Sequence, residues 1–146
     1  MTNEYQKHIV STEKEVVFLH RCSQDCLDSI LREGLATGGD IRGTATSQPS
    51  RLTDAIWTYR SGAVYGDKVA VLKFPRALWE NARKKAKGNE VATEEIGYFH
   101  PVRRTFTVRP EFVNGWIDRE TDEYHPNPCH DRKPVEGHEE FDYMFA

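Results

Sequence analysis

The sequence predicts a single α+β domain in which strands predominate. Three observations carry that prediction. Short apolar runs rich in β-branched and aromatic residues recur along the chain, and only two stretches repeat apolar residues at helical spacing. Strands and helices do not alternate as a doubly wound parallel sheet requires. The chain has 146 residues, 38% hydrophobic and 29% charged, which suits one modest core. It holds no apolar run of about 18 residues, so no membrane helix is expected.

Each element has a local reason. Val16 to Leu19 is a β-branched and aromatic run, read as a buried strand. Ser23 can cap a helix beginning near Gln24, along which Leu27, Ile30 and Leu31 repeat at i, i+3 and i+4 before Gly34 stops it. Residues 36–54 are rich in Gly, Thr and Ser, as a long functional loop would be. Ala55 to Tyr59 reads as a short strand. Gly66-Asp67 is a turn, and Lys68 to Phe74 is a strand that Pro75 ends. A helix through Arg76 to Lys87 would turn Leu78, Trp79 and Ala82 inward and Arg83, Lys84, Lys85 and Lys87 outward. Glu95 to Phe99, Thr105 to Val108 and Glu111 to Ile117 are three further short strands.

Charge suggests a boundary. The net charge is −3, but the eight acids and three bases from Arg119 onward leave −5 there and +2 on residues 1–118. Pro126, Pro128 and Pro134 punctuate the acidic part, so 119–146 is expected to be a loop-rich extension packed on or near a domain of residues 1–118. Phe141, Tyr143, Met144 and Phe145 offer it apolar side chains for docking. The overall charge argues against a protein built mainly to neutralise phosphate backbones. Met1 to Val10 is polar and mixed in charge, unlike a secretory leader, and three cysteines make an odd count. A reducing cytoplasm is therefore expected, the chain's own or a target cell's.

Three small constellations carry chemistry. His20, followed by Arg21, stands where a buried strand runs into a helix cap; alone, it reads as a residue filling a strand end. Trp57 and Tyr59, with Tyr65 nearby, set aromatic rings beside a polar loop; alone, they read as core. Glu94 and Glu95 enter a strand, where surface acids are common.

In that order these residues resemble the ADP-ribosyltransferase-like superfamily. The stretches that carry the resemblance are Phe18-Leu19-His20 with the helix Cys26 to Leu35, Ala55 to Tyr59 with Tyr65 to Leu72, and Glu94 to Tyr98 with Val108 to Asp118. The resemblance implies a split β-sheet core with two or three helices. It implies a mono-ADP-ribosyltransferase that cleaves NAD between nicotinamide and ribose and passes ADP-ribose to a protein or nucleic-acid acceptor. His20, Tyr59 and Glu95 would be the catalytic set. His20, Arg21, Trp57, Tyr59, Tyr65 and Glu94 would contact NAD, with Arg21 reaching the pyrophosphate. Arg21 replaces the glycine that many members carry after the histidine, and Trp57 stands where many have a tyrosine. The working ring is thus Trp57, Tyr59 or Tyr65, and the acid is Glu95 in preference to Glu94. No metal is expected. Toxin and anti-defence roles suit such a compact transferase.

Other readings exist. The same fold without catalysis would be a nucleotide-binding or inhibitory domain. His20, Cys22 and Cys26, or His125, Cys129, His130 and His138, offer zinc ligands at spacings unlike a structural zinc signature. Arg83 to Lys87 and Arg103-Arg104 form cationic runs that a solvated surface explains. The chain has no G-x-G-x-x-G and no P-loop.

Overall fold

The computed structural model describes residues 4–36, 46–47, 56, 59–60, 66–86 and 95–128. They form a small α+β fold with two helices and two antiparallel sheets. Sheet one has five strands: β1 (Glu15–Cys22), β3 (Thr46–Ser47), β4 (Lys68–Pro75), β7 (Val113–Asp118) and β8 (Glu123–Pro126), in the order β3-β1-β4-β7-β8. Sheet two has three: β2 (Leu35–Ala36), β5 (Gly97–Phe99) and β6 (Phe106–Val108), in the order β2-β6-β5. The helices are α1 (Gln24–Glu33) and α2 (Arg76–Ala86).

Strand β1 is buried on both faces, which is why Val16 to Leu19 reads as a continuous apolar run. Val16, Phe18 and Cys22 face one core, with Leu27 and Ile30 of α1, Trp79 and Ala82 of α2, and Leu35, Ile96, Phe106 and Val108 from or beside sheet two. Val17 and Leu19 face a second core with Tyr5, Ile9, Tyr59, Val69, Val71 and Ile117. Sheet one therefore lies between a helix-and-sheet layer and a thinner layer from the N-terminal 3-10 turn Glu4–His8 and the segment holding Tyr59. In the first core Phe18, Phe74 and Trp79 meet with ring centroids 5.0 to 5.8 Å apart.

The two helices and β4 stand close to their expected bounds. Ser23 takes the N-cap position of α1, although its side chain makes no capping hydrogen bond. Ile56, Tyr59 and Arg60 are helical, where a strand is expected. Ile56 and Tyr59 both pack on the second core. A strand would turn residues three apart to opposite faces, whereas a helix keeps them together. The expected boundary after 118 is not a break: the chain turns at Asp118–Asp122 and returns as β8, paired to β7 from Gly115↔Pro126 to Asp118↔Glu123. Beyond it, buried Asn127 donates to the carbonyls of Leu31 and Val113 at 3.1 and 2.9 Å, tying the segment to α1 and β7. Residues 129–146 lie outside the described set, as do the docking residues expected there. Among the described residues, no helix is long and apolar enough to cross a membrane.

The N-terminal turn is held by a pH-sensitive contact. The His8 ring stacks on Tyr124 at 3.6 Å, its Nδ1 lies 3.1 Å from Lys73 Nζ, and its Nε2 lies 3.8 Å from Glu4 Oε1. Burial first, and then the Lys73 charge, hold the His8 pKa below 6.5, against a smaller upward pull from Glu4. The unfolded chain thus binds the His8 proton more readily than the native state. The stability this contact contributes is complete above pH 6.5 and is lost as pH falls through the depressed native value. Thermal midpoints are expected to fall between about pH 7.5 and about pH 5.5, and His8→Gln is expected to flatten that dependence. An equally steep profile in His8→Gln would assign the acid loss to other groups.

Candidate functional site

The site is built where β1 runs into α1. In the register β1 forms with β4, His20 stands opposite Ala70. Ala70 belongs to the first core, so His20 points to the side of α1 and sheet two. There it lines a cleft of about 270 Å³ with Cys26, Ser29 and Ile30 of α1, Leu35 and Ala36 of β2, and Arg103. That volume is just below the usual range for small-molecule sites. Ile30 and Leu35 supply an apolar wall, and His20, Ser29 and Arg103 supply polar atoms. Gly34 makes the junction possible. Its φ of +99 turns the chain from α1 directly into β2.

The turn between β5 and β6 brings Arg103 to the cleft. His100, buried at its base, accepts the backbone N–H groups of Val102 and Arg103 on Nδ1, at 3.2 and 3.1 Å. Its Nε2 is then the donor to Glu33 Oε2, at 2.9 Å. Glu33 Oε2 also lies 3.4 Å from Arg103 Nη2, which hydrogen-bonds the Ser29 hydroxyl. Ser29 and Glu33 are one helical turn apart, so a single face of α1 holds the guanidinium.

The expected catalytic set does not assemble around His20 among the described residues. Tyr59 is fully buried in the second core, on the opposite face of sheet one. It stacks on Tyr5 at 4.7 Å, and its hydroxyl donates to Asp122 Oδ1 at 2.7 Å. Burial and that carboxylate push its pKa far above the ordinary tyrosine value. The neighbouring Arg60 holds Asp122 Oδ2 at 2.7 Å. Tyr59 thus fastens its segment to the β7–β8 turn. Arg21 is buried, and its partner Val69 belongs to the second core, so it also faces away from the cleft. The Arg21 departure follows from strand alternation, which sends neighbours on β1 to opposite faces.

Glu95 lies at the entry to β5, at the other end of that strand from the turn holding Arg103. It is ion-paired with Lys85 of α2 and does not line the cleft. Trp57, Tyr65 and Glu94 lie outside the described residues, as do Cys129, His130 and His138. His125 stacks on Trp116 at 4.2 Å.

The zinc reading finds no geometry among the described residues, where the donor atoms of His20, Cys22 and Cys26 do not gather at ligating distance. Burial pushes the Cys22 thiol up to about 12, which keeps it protonated. The carboxylates that do gather are Asp67, Asp118 and Glu120. Lys68 Nζ already sits 3.5 and 3.3 Å from the first two.

Sequence reasoning reaches His20 but passes over Ser29, Glu33 and His100 and treats Arg103 only as part of a surface patch. A serine and a glutamate four apart on α1 were the one available signal, and it is a common spacing. The chain matches no family model, no curated protein and no solved structure among those compared.

Proposed function

We propose that this chain is a small mono-ADP-ribosyltransferase whose NAD enters the cleft floored by His20. The supporting observation is the position of that histidine: it stands near the end of β1, points between two antiparallel sheets, and precedes the helix that forms one wall. On this reading the two sheets are the split core of an ADP-ribosyltransferase-like fold. His20 hydrogen-bonds a ribose hydroxyl and orients the sugar. The bond between nicotinamide and the ribose anomeric carbon breaks, its electron pair leaves with nicotinamide, and the acceptor nucleophile closes on that carbon. Positive charge develops on the ribose as the bond opens, and a carboxylate stabilises it: Glu94 in this role leaves Glu95 paired with Lys85, whereas Glu95 serves only by leaving that pair and turning toward the cleft. Trp57 or Tyr65 stacks on nicotinamide, and Tyr59 keeps a supporting role in the second core. Neither a metal nor a redox change enters the step. The acceptor is a protein or nucleic acid in a cytoplasm, and a toxin or anti-defence role fits.

A second reading is a nucleotide-binding domain without catalysis. It is favoured by the structural partners of two expected catalytic residues, Tyr59 with Asp122 and Glu95 with Lys85. One experiment separates the readings. NAD at about a hundred times its dissociation constant is expected to stabilise the protein by ~2.7 kcal/mol and raise its thermal midpoint. Label from NAD is then expected to appear on an acceptor in a cell lysate. A raised midpoint with neither transfer nor nicotinamide release supports the non-catalytic domain. An unchanged midpoint with NAD and a raised one with zinc removes both readings.

A further inference from the structure

We infer that Arg103 is the diphosphate-binding residue of the cleft, and that the ligand it selects is a nucleoside diphosphate. The inference rests on the nucleotide reading above and names the part of the ligand that the β5–β6 turn holds.

Three observations carry it. Arg103 lines the same cleft as His20, so its charge and that imidazole face one ligand. It is also held ready. Buried His100 fixes the turn through the backbone N–H groups of residues 102 and 103, and Ser29 and Glu33 hold the guanidinium from α1. Both of those contacts use Nη2, and a guanidinium carries five N–H donors, enough to keep them and grip a phosphate as well. Finally, the side chain is 40% exposed, so an anion reaches it without unfolding the turn. Glu33 offsets part of the charge, with its Oε2 3.4 Å from Arg103 and 2.9 Å from His100 Nε2, so a phosphate is held chiefly by the guanidinium N–H groups left over. Arg21, whose guanidinium is expected from the sequence to reach the pyrophosphate, faces the other side of sheet one.

A diphosphate suits this arrangement better than a neutral group. The Nη1 and Nε hydrogens that Ser29 and Glu33 leave over can donate to separate phosphate oxygens, and charge-assisted hydrogen bonds are the strong ones. The apolar wall of Ile30 and Leu35 can take the flat or sugar part of the same ligand.

The test is calorimetric titration of the full chain with ADP-ribose, adenosine, nicotinamide, inorganic pyrophosphate and a short oligonucleotide. Arg103→Gln is expected to weaken ADP-ribose by about 10- to 100-fold, with adenosine and nicotinamide unchanged. Arg103→Lys is expected to fall between, because it keeps the charge with fewer donors. Unchanged circular dichroism and thermal midpoint confirm that both variants fold. Equal ADP-ribose affinity in wild type and Arg103→Gln overturns the assignment while leaving the nucleotide reading standing. Pyrophosphate binding that depends on Arg103, without ADP-ribose binding, removes the nucleotide reading and keeps an anion site at Arg103. If only the oligonucleotide weakens, the phosphate belongs to an acceptor and the nucleoside-diphosphate assignment is overturned. If nothing binds the wild type, both fail.

Discussion

On the transferase reading proposed above, and with Glu95 as the acid, Glu95→Gln is expected to lower ADP-ribose transfer by about a hundredfold or more while NAD affinity changes only a few-fold. Glutamine keeps the size of the side chain and a hydrogen-bonding oxygen, and removes the charge. Charge matters most when the ribose turns cationic, so the loss belongs in the rate and not in ground-state binding. The fold is expected to survive. The Lys85–Glu95 pair has 53% and 25% of its side chains exposed, and such surface pairs contribute less than about 1 kcal/mol. Single-turnover release of nicotinamide, with NAD binding followed separately, reads the two effects apart. Equal rates in wild type, Glu94→Gln and Glu95→Gln would leave neither acid in the reaction and favour the domain without catalysis.

Gly34→Ala is expected to be among the most damaging changes to the fold, costing ~3 kcal/mol or more and roughly 10 °C in midpoint. Two causes act together. With φ +99 and ψ −178, Gly34 occupies a backbone region that is essentially glycine's alone. An added Cβ would also land on the Val108 carbonyl oxygen, which is backbone and has no rotamer to yield. Asparagine tolerates the left-handed helical region but not this one, and its Cβ meets the same carbonyl, so Gly34→Asn is expected to fail as badly as alanine. Chemical denaturation of the three proteins measures this. A loss below about 1 kcal/mol in either variant would mean that the α1–β2 junction relaxes easily.

Legibility in the sequence followed burial. β1, α1, β4 and α2 are readable because each presents a sustained apolar pattern to a core. β8 is not readable from Glu123-Tyr124-His125-Pro126, since an edge strand with no buried residue needs no alternation. The segment of Ile56 and Tyr59 is too short for its period to separate helix from strand, and its true face appears only with Tyr5 and Val17 beside it. In the site, His20 is legible because a polar residue at the end of a buried run stands out. Arg103 is not, because a basic residue in a turn looks like solvated surface until Ser29 and Glu33, some seventy positions earlier, are folded against it.

The two-sided burial of β1 has a consequence for how this chain can vary. His20 and Arg21 are separated by the thickness of a sheet although they are neighbours in sequence. The sorting depends only on odd and even position along β1. Losing one residue from the Thr12–Lys14 approach and sliding the strand to compensate would exchange every inward and outward side chain at once. The cleft would receive a guanidinium, and the imidazole would go to the opposite core. Length before β1 thus decides which of the two side chains reaches the cleft. Variation in this part of the chain is expected to come as substitution, with insertions and deletions confined to segments that do not set the phase of the strand.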